Sequence, residues 1–133
     1  MTMKKILIFT LLIFLTQNCF SQVYKWRSVQ FSSRHNSKDY DWTKWTDWVD
    51  SDILIVAKEQ RVKVHSSTTQ TYDMIGEVVK TYDKENNPIY TVVCVDEEGS
   101  RCRMVWYHNE TEGSFVMFSF SNLELMYKVK LLD

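Results

Sequence analysis

Three tryptophans recur at a spacing of three residues in the segment 41–48: Trp42, Trp45 and Trp48. An indole ring offers a large π-face that stacks on a sugar ring or an apolar ligand, or holds a cation. On a helical turn the three rings would share a face, which an extended strand does not allow. The alternative is an aromatic plug that closes one end of the fold, and we favour it because tryptophan is usually mostly buried. The three tryptophans are the candidate ligand-binding residues, and two or more exposed rings would favour binding.

The N-terminal segment decides the compartment in which any chemistry takes place. Residues 1–21 begin with the positive charges of Lys4 and Lys5 and continue with an apolar run over 6–15. This order of charged and apolar regions is typical of a secretory signal peptide. The run is too short for a transmembrane helix, which needs roughly 20 apolar residues. We therefore predict an exported protein, periplasmic or secreted, with cleavage before Gln22.

The end of this segment also bears on how the protein is anchored. Cys19 and Ser21 are small residues at the positions that a signal peptidase requires. Acylation of Cys19 in a lipoprotein is the alternative. The polar or bulky residues at 16–18 argue against it, since a lipobox has small residues there. We expect simple cleavage and no transmembrane segment in the mature chain.

Two cysteines remain after cleavage, Cys94 and Cys102. In an exported chain a disulfide between them is the expected state. Such a bridge would close a short loop and stabilise one hairpin by about 2–3 kcal/mol. The alternative is a pair of buried thiols that pack as small apolar groups.

Other residues with catalytic or metal-binding potential form no recognisable set. His35, His65 and His108 are scattered and show none of the spacings typical of zinc ligands. We interpret the acidic clusters at 39–52 and 96–98 as solvated charges of turns and strand ends. The sequence contains no Gly-rich phosphate loop, nucleophile elbow or zinc-binding helix motif. It therefore predicts no catalytic residue, no metal and no cofactor.

Composition and charge narrow the class of protein further. The 133 residues are 44% hydrophobic and 14% aromatic, with three glycines and one proline, which excludes collagen-like, linker and disordered chains. The signal segment carries two lysines and no acid, so its removal changes the formal charge from −1 to −3. This charge argues against nucleic acid or an anionic membrane as partner. We expect one domain over 22–133.

From Gln22 onward β-branched and aromatic residues alternate with polar ones, and no stretch has a clear helical period. About eight strands joined by short loops are predicted. They span 23–31, 52–58, 61–65, 70–82 with a bend near Gly76, 89–95, 101–108, 114–120 and 123–131. Local connections favour an all-β, up-and-down antiparallel barrel over a two-sheet sandwich. An eight-stranded barrel is either filled by side chains or holds one small ligand.

Two hairpins have a register that the pattern of apolar residues predicts. The second of them has a loop in which Gly99 takes the left-handed conformation. Each register places apolar residues opposite one another on a single face. The pairs are Ile55 with Val64, Ala57 with Val62, Cys94 with Cys102, Val92 with Met104 and Tyr90 with Trp106.

Several short motifs carry a resemblance to known proteins. The signal sequence, which ends Cys-Phe-Ser before Gln22, resembles those of exported proteins of Bacteroidota-type bacteria. The order of motifs in the mature chain is similar to small uncharacterised exported β proteins of that group, a resemblance that implies no activity. These motifs are Trp45-x-x-Trp48, Gln70-x-Tyr72 and Cys94-x-Asp96 leading through Gly99 to Cys102.

Two further resemblances concern the architecture and the tryptophan spacing. In size and strand number the chain resembles lipocalin-like barrels, a likeness of fold that does not determine function. The tryptophan spacing resembles the ladder of thrombospondin type 1 repeats. Those domains need more cysteines and a set of partnering arginines, so we do not assign the chain to them.

These observations favour a non-enzymatic binding module for a small apolar or sugar-like ligand, held at the barrel mouth or by Trp42, Trp45 and Trp48. The alternative is a protein-interaction role in the cell envelope, such as an inhibitor or immunity protein. An enzyme ranks last because the sequence shows no acid–base or metal set.

Overall fold

The computed structural model describes residues 23–36 and 41–132. The predicted signal peptide and Cys19 lie outside the described residues. The described residues form nine strands. In chain order these are β1 Tyr24–His35, β2 Val49–Lys58, β3 Arg61–His65, β4 Thr69–Met74, β5 Val79–Tyr82, β6 Pro88–Asp96, β7 Arg101–Asn109, β8 Gly113–Ser119 and β9 Leu123–Leu132. Within this part of the chain, no helix has the length and hydropathy needed to cross a membrane.

The strands form a closed antiparallel barrel. Neighbours follow the order β4-β3-β2-β1-β9-β8-β7-β6, and pairing of β4 with β6 closes the ring of eight. The ninth strand, β5, pairs with the first part of β6 beside β4. The prediction of an all-β meander that closes into a small barrel is confirmed, and the two-sheet sandwich is not formed.

Both predicted hairpin registers are confirmed. Ile55 lies opposite Val64 in the β2–β3 ladder, and Cys94 lies opposite Cys102 in the β6–β7 ladder. Gly99 has φ of 84°, a left-handed conformation in which a residue with Cβ is strained. The apolar face of each hairpin was enough to predict its register, because a one-residue slip would turn these side chains outward.

The predicted strand over 70–82 is instead two strands. Met74, at the end of β4, pairs with Cys94, and the Ile75 N–H donates to the Val93 carbonyl at 2.9 Å. The chain then turns away near Gly76 and returns as β5, where Val79 pairs with Thr91. Both strands therefore use the same edge of β6.

β1 is longer than predicted because it contains a bulge. The register of β1 with both neighbours shifts between Ser28 and Gln30. The extra residue reverses which side chains point inward. Trp26 belongs to the core before the bulge, and Phe31 packs against the core after it, so Arg34 points outward.

Inward-facing side chains fill most of the lumen. Six large residues of the core are fully inaccessible to solvent. They are Ile55, Val62, Val64, Met104, Val116 and Phe118. The filling ends towards the β2–β3 turn and the first residues of β1 and β6, and we call this end the barrel mouth.

Candidate binding site at the barrel mouth

Four aromatic rings form a connected series at the barrel mouth. Tyr24 stacks on Trp26 with ring centroids 5.9 Å apart, and Tyr90 stacks on Trp106 at 5.3 Å. Trp26 and Trp106 join the two stacks at 6.5 Å with their planes tilted by 56°. These four rings, the mouth aromatics, therefore form one continuous apolar surface.

The strand pattern explains why these rings meet. Tyr24 and Trp26 are two residues apart on β1 and so lie on the same face. Tyr90 and Trp106 lie directly opposite each other in the β6–β7 ladder. β8 and β9 separate β7 from β1 around the barrel, so the contact between Trp26 and Trp106 crosses the lumen.

The mouth aromatics line a cavity of about 920 Å³. Pockets for small ligands usually have volumes of about 300–1,000 Å³. Polar side chains surround the rings: Glu59 and Gln60 come from the β2–β3 turn, and His108 and Ser114 from the β7–β8 hairpin. His108 Nδ1 and Ser114 Oγ are 2.8 Å apart, within hydrogen-bonding distance. The cavity thus combines flat apolar faces with hydrogen-bonding groups at its edge.

A second, smaller depression lies beside the same turn. Its volume is about 510 Å³, and its lining is mostly charged or polar, with Arg61, Lys63 and Asp73 among the residues. No Phe, Tyr or Trp ring contributes to it. The mouth cavity is therefore the better candidate for a ligand with an apolar face.

The turn at the rim of the cavity is strained. Glu59 and Gln60 have φ of 53° and 64°, the left-handed region that β-hairpin turns usually fill with Asn-Gly. Residues with a long side chain in this region cost of order 1 kcal/mol each. The Gln60 carbonyl accepts a hydrogen bond of 2.8 Å from the Met74 N–H, which holds the turn against β4. Strained residues cluster at binding sites, and both of these side chains line the cavity.

The predicted tryptophan segment lies elsewhere, along the last residues of β1, with Trp42 and Trp45 on the outer face against Arg34. Thr43 N–H donates to the His35 carbonyl at 2.9 Å, and Thr46 N–H donates to the Ser33 carbonyl at the same distance. The Ser32 hydroxyl donates to the Thr46 carbonyl at 2.7 Å. These bonds hold the segment along β1. The segment lies beyond the residues of β1 that pair with β2. Its expected role as a plug stays a prediction.

Trp42 and Trp45 enclose an arginine. The Arg34 guanidinium carbon lies 4.9 Å from the Trp42 ring centroid and 4.8 Å from that of Trp45. Cation–π contacts occupy this range of distance. Nε and Nη2 of Arg34 both contact Oε1 of Glu124, and the Ser119 hydroxyl donates to Oε2 of Glu124 at 2.8 Å. The two indole faces are thus already in contact with a cation whose counter-ion is buried.

Trp48 does not join the other two tryptophans. Its ring lies 6.1 Å from that of Phe115, and 42% of the residue is exposed. None of the three predicted tryptophans lines the mouth cavity. Their role as ligand-binding residues stays a prediction.

The expected disulfide is not formed in this structure. Cys94 and Cys102 lie directly opposite each other, but both are free and buried. The Cys102 thiol donates to the Cys94 sulfur, which lowers the pKa of Cys94 and raises that of Cys102. Residues 23–36 and 41–132 contain no group of three or more His, Cys, Asp or Glu side chains that could hold a metal ion.

Sequence reasoning placed Tyr90 opposite Trp106 but did not identify the mouth aromatics as a site. The available signal was the position of this pair at the open end of its hairpin. The contact with Trp26 depends on curvature of the whole sheet, which no local pattern encodes. Comparison of the chain with protein-family models, with curated proteins and with solved structures finds no match.

Proposed function

We propose that this protein is a non-enzymatic binding module whose ligand is a small molecule with a flat apolar or sugar-ring face. The ligand lies in the mouth cavity and stacks on the mouth aromatics. The observation that carries the proposal is the open cavity of about 920 Å³ against a continuous series of four rings. Polar groups on the rim supply hydrogen bonds, as sugar hydroxyls or a polar substituent require.

Export is part of the same proposal. The charged and apolar regions within residues 1–21 support removal of this segment and action outside the cytoplasm. The lumen is filled away from the barrel mouth, and the cavity lies at the mouth alone. This arrangement suits a carrier or sensor that holds one ligand per chain. The proposal needs no catalytic group, since stacking and hydrogen bonding suffice for recognition.

A ligand screen read by intrinsic tryptophan fluorescence tests this proposal. Trp26 and Trp106 both line the cavity, so a bound ring changes their emission. The Tyr24→Ala variant removes one cavity ring and should weaken binding of the ligand that the screen identifies. Tyr82→Ala is the matched control, because Tyr82 is 57% exposed and lies outside the cavity lining. Equal loss of affinity in both variants would contradict binding at the mouth.

A second candidate, interaction with an envelope protein, has support from β5. All four residues of β5 are exposed, and in the described part of the chain the strand pairs only with β6. Val79 is 57% exposed and the neighbouring Val78 47%. An extended segment of a partner would add a strand to this edge, and the positive charge of Lys80 favours an acidic segment.

Affinity purification from envelope extracts tests this second candidate. A partner that uses the β5 edge should be lost in Lys80→Glu and kept in Tyr24→Ala. Recovery of no protein, or of a partner indifferent to the charge at position 80, would count against an inhibitor or immunity role.

A further inference from the structure

Three sulfur-containing side chains lie in one row across neighbouring strands. Met74 of β4 is directly opposite Cys94 of β6, and Cys94 is directly opposite Cys102 of β7. Residues directly opposite in an antiparallel pair share a face, with Cβ atoms about 4.5–5.5 Å apart. Cys94 and Cys102 belong to the core and Met74 packs against it. The closed barrel therefore brings one thioether and two thiols together on its inner face.

A fourth sulfur adjoins this row. Met104 follows Cys102 by two residues on β7, so its side chain lies on the same inner face. It is fully buried, and its backbone N–H donates a hydrogen bond to the Cys94 sulfur. The four residues Met74, Cys94, Cys102 and Met104, the sulfur cluster, come from three different strands.

The two thiols are in direct contact. Cys102 forms a side-chain hydrogen bond with Cys94, so the two sulfur atoms lie next to each other. One ion can therefore reach both of them.

The cluster has a route to solvent. Met74 is partly exposed and lines the mouth cavity, whereas Met104, Cys94 and Cys102 are almost fully buried beside it. An ion that enters the cavity meets the Met74 thioether first and the buried sulfur atoms next. Methionine is flexible enough to follow the ion inward because its side chain is unbranched.

We propose that Cys94, Cys102 and Met74, with Met104 beside them, form a site for a soft monovalent metal ion, Cu(I). Thiolates bind both Cu(I) and zinc, but a methionine thioether suits Cu(I) and is not among the usual zinc ligands, which are cysteine, histidine and carboxylate. None of the described histidines belongs to the core that contains the cluster. This site departs from the absence of metal that the sequence predicts, and it does not depend on the ligand proposed for the mouth.

The binding step balances without a redox partner. Cu(I) enters as a monovalent cation, the two S–H bonds of Cys94 and Cys102 break, and two Cu–S bonds form. Both protons pass to solvent, and the Met74 thioether donates a lone pair without a change in charge. The oxidation state of copper does not change.

Anaerobic titration of the reduced protein with Cu(I), against a coloured Cu(I) chelator, tests this site. We expect one Cu(I) per chain, with affinity reduced roughly tenfold in Met74→Leu and about 100-fold or more in Cys102→Ala. The matched control is Met126→Leu, because Met126 and Met74 are both partly exposed but Met126 packs on another part of the barrel. That variant should bind Cu(I) as the unaltered protein does.

Two further results decide the matter if a cysteine variant folds poorly. X-ray absorption of the loaded protein should show sulfur neighbours only around copper, and a shell of nitrogen or oxygen would overturn the proposal. Affinity in Met74→Leu equal to that in Met126→Leu would overturn it too. So would an intact mass, before reduction, that is lower by two hydrogen atoms, because a native disulfide leaves no thiolate for the metal.

Discussion

The protein carries two groups of tryptophans that differ in what lies against their faces. At the mouth, Trp26 and Trp106 stack with tyrosines, and their remaining surface borders a cavity of about 920 Å³. On the outer face, Trp42 and Trp45 enclose the Arg34 guanidinium at 4.9 and 4.8 Å. The first group leaves space beside its rings, and the second has filled that space with a cation.

This difference teaches that the number and spacing of aromatic residues do not identify a binding site. The regular spacing of the outer tryptophans attracts attention in the sequence, yet the spacing positions two rings around one arginine. The irregularly placed mouth aromatics border the larger opening. An aromatic ring is available to a ligand only where no other side chain already covers it, and that depends on tertiary structure.

The largest expected effect concerns stability of the outer group. Arg34→Ala leaves the carboxylate of Glu124 buried without its cation, a change that costs 3–5 kcal/mol at a fully buried pair. The Arg34 side chain is 32% exposed, so we expect a loss of about 2–3 kcal/mol in the free energy of unfolding, measured by urea denaturation. The matched control is Arg27→Ala, whose partner Asp52 is 79% exposed and whose loss should be below about 1 kcal/mol. Similar losses in the two variants would contradict the claim that the Arg34–Glu124 ion pair stabilises the fold more than an exposed ion pair does.

The next effect tests whether the lumen around Tyr127, which packs on Phe31 and Phe118, is dry. Burial raises the pKa of Tyr127 to about 12, so the folded state holds the phenol proton more tightly than the unfolded chain. The stabilisation is complete below the unfolded pKa of about 10 and is lost as the pH rises to about 12. Tyr127→Phe should therefore reduce the loss of stability between pH 10 and 12, by an amount on the order of 2 kcal/mol. Identical alkaline unfolding of both proteins would indicate that water reaches this ring.

A smaller effect separates the two aromatic groups by ligand affinity. Tyr24→Ala removes one stacking face at the mouth, worth about 0.5–1.5 kcal/mol, so binding should weaken up to roughly tenfold. Trp42→Ala removes a ring of the outer group and should leave the affinity unchanged. Isothermal titration calorimetry measures both variants, and the reverse pattern would assign binding to the outer face.

The smallest effect concerns the strained turn at the rim. Replacing Glu59 and Gln60 together by Asn and Gly should raise the stability by about 1 kcal/mol, since these residues suit a turn with positive φ. Asn86→Gly is the control, because Asn86 also has positive φ, 66°, but asparagine tolerates it. Thermal unfolding measures the difference, and a destabilised double variant would show that the long side chains hold the rim together.

Much of the barrel was predictable because its strands and hairpins depend on residues that are close together in the sequence. Alternating apolar residues and turn composition determine strands and hairpin registers, as the Ile55–Val64 and Cys94–Cys102 pairs show. The break between β4 and β5 was anticipated only as a bend near Gly76. The extension of β1 to His35 was missed because its bulge interrupts the alternation.

The mouth cavity and the arginine site were less predictable, because the residues that form each of them are far apart in the sequence. Arg34 and Glu124 are 90 residues apart, and neither belongs to the tryptophan segment that they anchor. Trp26 and Trp106 meet only because the sheet closes. The pairing of Cys94 with Cys102 was predicted correctly, but the expected disulfide is not formed. Two cysteines that lie opposite each other in a β-ladder can form either a disulfide or two free thiols, so the pairing alone did not decide between them.

The central claim is that ligand binds to the mouth aromatics and not to the outer tryptophans. Each of the five tryptophans has one indole N–H group, whose NMR signal single Trp→Phe variants would assign. Titration with the ligand from the fluorescence screen should move the signals of Trp26 and Trp106 and leave those of Trp42, Trp45 and Trp48 in place. Movement of the outer three signals, with Trp26 and Trp106 unchanged, would contradict the account.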